Sequence, residues 1–418
     1  MKFYFESYGC TMNQGEARIM EDVLCENGHT IVSNITDSDA LVLVTCTVIE
    51  TTELRMMRRL VTFSETKKPV VVAGCMASVQ KDQILAANPN TIVLAPQDLT
   101  DIARIADMLS EDLPKTRKVV QPRKIPQQTV DAIIPISSGC LGSCTYCITR
   151  LARGKLMSCP PDFLLESMKK ALSDGYKEIR LTSQDSAAYG TDIDFNLPFL
   201  LGEMKTLDGK FRVRVGMMNP ENVLPILPEI INAYKDQRIY KFLHLPVQSG
   251  SESILRKMGR RYTVDDFFMI VDAFRNHFPD ITISTDIIVG FPGESEADFK
   301  RSVELAKKLR PNVLNITRFS ARPQTAAMNM ENKIPSRIAK ERSRELSKMH
   351  ADISREINED LVGKKERILI TEYGKNDTMM GRTNTYKPVV LEENLKIGEF
   401  VDVEITEARD IYLKGRVL

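Results

Sequence analysis

The chain opens with apolar runs separated by helix-spaced stretches. Residues 40–45 and 69–73 are unbroken apolar segments, the pattern of strands buried on both faces of a parallel sheet. Residues 2–7 and 91–94 read as two further strands. Between the first two strands, Ile19, Met20, Val23 and Leu24 recur at helical spacing over residues 15–25, and Asn27-Gly28 supplies a helix stop. Residues 99–109 close the segment as another helix. This alternation predicts an α/β architecture, with a doubly wound domain over residues 1–110. Residues 111–129 lose the period and carry Lys115, Arg117, Lys118, Arg123 and Lys124 among prolines, which predicts a basic linker.

Alternation resumes over residues 130–358. Strand patterns fall at 132–137, 178–182, 211–216, 242–247, 282–289 and 313–319, with helical patterns near 162–173, 198–205, 220–234, 263–276 and 295–309. Asp162, Thr263 and Ser295 suit helix starts. Six parallel strands predict a partly open (β/α)6 barrel with its site at the carboxyl ends of the strands. Polar residues gather there: Ser183, Gln184 and Asp185 after the second strand, Gln248 and Ser249 after the fourth, Asp286 through Glu294 along the fifth, and Arg318 on the sixth. Such a rim can hydrogen-bond a ribose, an amino group and a carboxylate, although each residue alone also suits a turn or cap. His244 lies in an apolar strand and reads as packed. A charged helix over 336–360 leads to five short strands within 359–418, the pattern of a small all-β barrel related to oligonucleotide-binding folds.

Composition narrows the partners. A net charge of +1 over 418 residues gives no global field for nucleic acid, so a basic surface must be local. The candidates are Arg256, Lys257, Arg260 and Arg261 near the rim, and Arg382 with Lys387 around Tyr386, whose ring could stack on a base. No apolar run reaches membrane-spanning length and the start is not a signal peptide, so the expectation is a cytoplasmic protein without a membrane or DNA partner.

Eight cysteines in such a chain favour metal or redox chemistry over disulfides. Cys140, Cys144 and Cys147 lie within eight residues, between glycines that let the loop bend. Three sulfurs around a four-iron cube would leave one iron open. A zinc ion with a distant fourth ligand, or three buried thiols, are the alternatives. Cys10, Cys46 and Cys75 each follow a strand of the first domain, where open α/β sheets gather ligands. They could be adjacent in space, or simply small buried residues at strand ends. Cys25 reads as core and Cys159 as incidental.

These residues resemble a known family. Gly139-Cys140-Leu141-Gly142-Ser143-Cys144-Thr145-Tyr146-Cys147 with Ala152-Arg153-Gly154 is similar to the cluster loop of radical S-adenosylmethionine methylthiotransferases. Gly9-Cys10-Thr11-Met12-Asn13, Thr45-Cys46 and Gly74-Cys75 resemble that family's amino-terminal domain. The stretches 244–251, 258–263 and 286–294 resemble its radical domain, and residues 361–418 its carboxyl-terminal RNA-binding (TRAM-like) barrel. The run Ile148-Thr149-Arg150-Leu151 after the third cysteine resembles the archaeal and eukaryotic branch acting on N6-threonylcarbamoyladenosine at tRNA position 37. The resemblance implies two [4Fe-4S] clusters and S-adenosyl-L-methionine. Cys140, Cys144 and Cys147 would hold the cluster that cleaves the cofactor, and Cys10, Cys46 and Cys75 a second cluster carrying the sulfur. It also implies contacts to the cofactor from Ser183, Gln184, Asp185, Gln248, Ser249, Asp286, Glu294 and Arg318. The partners would be a tRNA, an electron donor and a sulfur source. A ribosomal-protein substrate and a non-catalytic metal-binding RNA adaptor remain as rival expectations.

Overall fold

A computed structural model describes residues 1–110 and 130–418; the expected linker, with its basic run, lies outside the described residues. The first domain is a five-stranded parallel sheet in the spatial order Thr30–Val32, Lys2–Ser7, Ala40–Thr45, Val70–Gly74, Ile92–Leu94. The chain reverses direction across the sheet between Lys2–Ser7 and Ala40–Thr45, which opens a crevice at their carboxyl ends. Met20 and Leu24 of the helix Thr11–Glu26 pack with Phe3, Val42 and Val44 on one face. Met56, Leu60 and Phe63 of the helix Glu50–Glu65 pack with Leu41 and Leu43 on the other. The edge strand Thr30–Val32 escaped the pattern reading because it is three half-exposed residues beside a glycine turn.

The central domain holds two three-stranded parallel sheets. One runs Asp131–Pro135, Glu178–Thr182, Arg212–Arg214, and the other Phe242–His244, Thr282–Val289, Val313–Arg318. A bridge between Val213 and Ile239, with the Tyr240 amide donating to Val213 at 2.9 Å, carries the strand order from one sheet to the next. The third and fourth strands are shorter than their apolar runs. In the fourth, Pro246 has no amide to donate and the Val247 amide turns to Thr285 Oγ1 at 3.0 Å. The expected helix over 220–234 breaks into Pro220–Val223, a 3₁₀ turn Leu224–Ile226 and Leu227–Ala233, where Pro225 and Pro228 interrupt the ladder. Thr263 with Asp266, and Ser295 with Asp298, form reciprocal caps on Val264–His277 and Glu296–Leu309.

The helix Ser336–Glu359 leads into a closed five-stranded barrel: Lys365–Tyr373, Met379–Arg382, Pro388–Leu391, Leu413–Val417 and Phe400–Ala408 in spatial order. This barrel seats on the amino ends of the central strands, opposite the cysteine loop. The Lys241 amide donates to Asn384 O at 2.8 Å, and Arg212 lies over the Phe400 ring at 5.3 Å. Among the described residues no helix is long and apolar enough to cross a membrane.

Candidate active site

The cysteine loop follows the first central strand and is held by backbone contacts from several elements. Gly139 has a φ of +81°, and a Cβ there would meet the Lys155 carbonyl oxygen at 1.9 Å, so only glycine fits. Gly142 serves differently. A Cβ built on it would lie 3.3 Å from Cys140 Sγ and 3.6 Å from Cys144 Sγ, so this residue sits between two of the sulfurs. Arg150 Nη1 donates to Gly142 O at 2.6 Å, the Thr145 amide to Met258 O at 3.0 Å, and the Ala327 amide to Thr145 O at 2.8 Å. Burial pushes the Cys140 thiol up to about 11.

The structure brings Cys10, Cys46 and Cys75 to the crevice of the first domain. Cys10 caps the helix Thr11–Glu26, Cys46 follows Ala40–Thr45, and Cys75 begins the short helix Cys75–Val79. Gly74, at φ +89°, has its α-carbon so close to Thr45 O that a Cβ would meet it at 2.4 Å, and a Cβ on Gly9 would strike Cys46. These contacts draw the three cysteine positions together. Cys10 is exposed while Cys46 and Cys75 are buried. Burial, then the neighbouring thiols, pushes Cys75 up to about 12 against the pull of Arg153.

Both triads adjoin the short helix Thr149–Arg153, which starts two residues after Cys147 and packs against Cys75–Val79. Its last residue, Arg153, is 3% exposed and reaches into the first domain. There it forms a two-armed pair with Glu16, donating to Oε2 at 2.9 Å, and touches Asn13 Oδ1 at 3.4 Å. Asn13 in turn donates to Thr45 O at 2.6 Å and accepts from Cys10 Sγ at 3.2 Å. Burial opposes the Arg153 charge, yet Glu16 holds the guanidinium above its ordinary range. A second buried arginine, Arg322, pairs with Glu53 and touches Thr47 Oγ1 at 3.3 Å, directly beyond Cys46. Sequence reasoning missed these bridges. The available signal was Arg153 itself, an arginine fixed by the turn glycine Gly154 just past the cysteine loop.

The rim residues divide. Among the described residues Gln184 Oε1 is buried without a partner, as are Ser137 Oγ and Ser138 Oγ beside the loop. Ser183 Oγ meets Ser186 Oγ at 3.1 Å. Asp185 is spent on its own loop, accepting from the Ala187 and Asn219 amides at 3.1 and 2.9 Å and from Asn222 at 2.6 Å. Burial nonetheless pushes it up to about 6. Gln248 is buried with a φ of +70°, a strained backbone at a strand end. Ser249 is fully buried against Ser302 at 3.4 Å. Asp286 accepts from Asn315 at 2.7 Å and bonds His244 Nε2 at 3.0 Å, so His244 takes part in a polar wall rather than simply packing. Arg318 is exposed. Glu294 is 1% exposed, and its Oε2 pairs with Arg342 at 2.6 Å and accepts from the Gly290 amide at 2.7 Å, while its Oε1 is buried with no partner among the described residues. It locks the loop to the helix Ser336–Glu359.

The basic candidates divide too. Arg256 and Lys257 are exposed, and Arg261 pairs with Glu221 at 2.8 Å. Arg260 instead turns inward, donating to the Tyr146 hydroxyl at 2.5 Å and to Asn219 at 3.3 Å, so it braces the cysteine loop from behind. Tyr386 stands in a seam between domains. Its ring lies within 5.3 Å of Tyr240, Phe242, Arg214 and Arg382, in the seam between the central strands and the carboxyl-terminal barrel. Lys387 donates to Asn358 at 2.6 Å in the same seam.

The chemistry of the donor sets fits iron–sulfur clusters and S-adenosylmethionine. Burial pushes the Cys46, Cys75, Cys140 and Cys144 thiols up, and a metal that displaces their protons would supply the counter-charge. Among the described residues no three His, Cys, Asp or Glu side chains close around a single ion. A four-iron cube requires its sulfurs farther apart than one ion does. The orphaned oxygens of Ser137, Ser138 and Gln184 stand next to the loop, where an ammonium or ribose would meet them.

A partly open parallel barrel with a three-cysteine loop at its carboxyl end, preceded by a flavodoxin-like sheet bearing a second triad, defines a radical S-adenosylmethionine protein with an added cysteine domain. Family models agree: Uncharacterized protein family UPF0004 matches residues 2–95, the Radical SAM superfamily 134–306 and the TRAM domain 359–418. The probable threonylcarbamoyladenosine tRNA methylthiotransferase of Pyrococcus horikoshii is 43% identical across 100% of both chains. The Homo sapiens threonylcarbamoyladenosine tRNA methylthiotransferase is 33% identical over 99% of this chain and 74% of its own. The radical S-adenosylmethionine methyltransferase TsrM from Kitasatospora setae, solved with cobalamin and a [4Fe-4S] cluster, shares the fold at a TM-score of 0.59. It is 12% identical over 78% of this chain and 76% of its own. The chain belongs to the threonylcarbamoyladenosine tRNA methylthiotransferase family.

Proposed function

We propose that this protein methylthiolates C2 of N6-threonylcarbamoyladenosine at position 37 of tRNA, using S-adenosyl-L-methionine and two [4Fe-4S] clusters. The observation that carries this reading is the gathering of two cysteine triads on either side of the helix Thr149–Arg153. When bound, the clusters and S-adenosylmethionine supply the radical needed at a carbon whose hydrogen no side chain can ionise, and the sulfur that replaces it. Cys140, Cys144 and Cys147 hold one cluster, and Gly139 and Arg150 fix the loop that presents them. Cys10, Cys46 and Cys75 hold the other, with Cys10 at its open mouth. Gln184, Ser183 and Gln248 bind the cofactor's polar groups, and Asp286 with His244 walls the chamber beneath it. Asp185 and Ser249 position those neighbours through buried hydrogen bonds, and Arg318 meets the cofactor's or substrate's charge at the rim. Exposed Arg256, Lys257 and Arg261 contact the tRNA backbone. An electron donor and a sulfur source complete the reaction.

The test is nucleoside mass spectrometry of tRNA carrying threonylcarbamoyladenosine, incubated anaerobically with reconstituted protein, S-adenosylmethionine, sulfide and a reductant. The expected product is the 2-methylthio nucleoside. Unchanged tRNA in the presence of cofactor cleavage, or a methylthio group found on a ribosomal protein instead, would overturn the assignment.

A further inference from the structure

Beside Asp286 lies a half-open cavity of about 500 Å³, lined by the strands Phe242–His244, Thr282–Val289 and Val313–Arg318, by the helix Ser336–Glu359 and by the carboxyl-terminal barrel. His244 and Asn315, both bonded to Asp286, form part of its upper wall. Ser284 shares the inward face of its strand with Asp286, so the cavity runs from Asp286's partners at least one pleat, about 7 Å, toward the carboxyl-terminal barrel.

Its charge is one-sided. Arg214, Arg382 and Lys387 all line it. Arg214 is deeply buried, yet its guanidinium makes no hydrogen bond or ion pair among the described residues, and its Nε is an orphaned donor. It is held only by the Phe242 and Tyr386 rings, at 4.9 and 5.3 Å. Arg382 Nε also has no partner among the described residues, and the side chain makes one long ion pair, to Glu372 at 3.8 Å. Lys387 spends one donor on the Asn358 side-chain oxygen and has no acidic partner among the described residues, and burial holds it down to about 8. Asp410 is the acid in the lining, and it serves the wall through its backbone carbonyl, which accepts from Ser354 at 2.5 Å. Glu178, nearby, is taken up by Arg180, Tyr240 and Tyr386. A guanidinium buried without an acceptor costs stability unless a ligand supplies one.

We infer that this seam cavity is the specificity pocket for the nucleoside's threonylcarbamoyl group, with Arg214, Arg382 and Lys387 receiving its carboxylate. The inference rests on the proposed substrate. A purine beside Asp286, with C2 toward the cysteine loops, directs its N6 substituent down into the cavity. The amides of Asn312 and Asn315 and the Ser284 hydroxyl then face the carbamoyl and threonine hydroxyl groups. A backbone phosphate is the other oxyanion an RNA carries, but a phosphate contact fixes register and does not distinguish the base at position 37. This site is concave and lies within a domain seam. The selectivity for a modified adenosine therefore comes from two domains together, which gives the carboxyl-terminal barrel a role in reading the base.

The experiment measures equilibrium binding of anticodon stem-loop RNAs to the reconstituted full chain. Three RNAs differ only at position 37: threonylcarbamoyladenosine, its carboxyl methyl ester, and plain adenosine. The wild-type protein is expected to prefer the free acid over both others by at least about tenfold, the scale of a charge-assisted contact. Lys387→Met and Arg382→Gln are expected to remove most of that preference while leaving affinity for the adenosine RNA within about twofold. Equal weakening toward all three RNAs would assign the cations to phosphate or to seam packing and overturn the inference. Equal wild-type binding of acid and ester would also overturn it, and this arm needs no variant to fold. Mass spectrometry of the same samples separates the two claims: methylthiolated product formed without an acid-over-ester preference sinks the pocket and spares the activity.

Discussion

Replacing Arg153 with methionine removes the positive half of a pair whose two side chains are each 1% exposed. Glu16 then keeps its charge in a site closed to water, with neither of the two donors that now satisfy it. Removing one partner of such a pair costs about 3–5 kcal/mol, because the penalty is the abandoned charge rather than the lost attraction. At about 2 cal/mol/K of unfolding entropy per residue, a chain of 418 residues melting as a unit would lose roughly 3–6 °C in midpoint. Replacing both residues, Arg153→Met with Glu16→Leu, leaves no charge behind and should recover most of that loss. Thermal unfolding of the iron-free chain is the appropriate assay, since loss of a cluster cannot then imitate loss of the pair. A single variant that melts within 1 °C of wild type, or a double variant no better than the single one, would refute the reasoning.

Gly139→Ala should prevent assembly of the cluster at Cys140, Cys144 and Cys147, halving bound iron, because its Cβ would enter the Lys155 carbonyl. Gly142→Ala, whose Cβ meets the sulfurs at 3.3 Å or more, should retain most of the iron, so equal losses in the two variants would count against the loop geometry. Asp185 has a carboxyl raised to about 6 in the folded chain against an ordinary value near 4, so the folded state holds an extra proton between them. Stability should therefore fall as pH rises from about 4 to 6, and Asp185→Asn should flatten that part of the profile; an unchanged profile would count against the burial of this group. Arg342→Met should destabilise the chain by about 3–5 kcal/mol through the abandoned Glu294, whereas Arg337→Ala, on an exposed pair, should change denaturant midpoints little.

The architecture was readable because its signals are local. Ala40–Thr45 is apolar from Ala40 to Val44 and buried throughout because both faces of that strand are covered, and Thr263 and Ser295 announce helices through caps three residues long. The cysteine spacing was equally plain. What pattern reading could not supply were contacts joining distant segments. Arg153 and Glu16 are 137 residues apart, and nothing in either neighbourhood marks the other. Glu294 looked like a rim residue because it ends a glycine-rich turn, but its partner Arg342 stands on a helix that periodicity alone could not dock. Tyr386 and Arg260 looked like surface contacts for RNA, since aromatic and basic residues in loops usually are exposed. Tertiary packing folds the first under the central strands and the second behind the cysteine loop.

Separate roles for the two triads are the centre of this account, and one comparison reads them directly. Cys46→Ala and Cys140→Ala proteins, each reconstituted with iron and sulfide, are assayed together for S-adenosylmethionine cleavage and for methylthio nucleoside in tRNA. Cys46→Ala should still cleave the cofactor while forming no methylthio product, and Cys140→Ala should do neither. Methylthiolated nucleoside from Cys46→Ala would contradict the account.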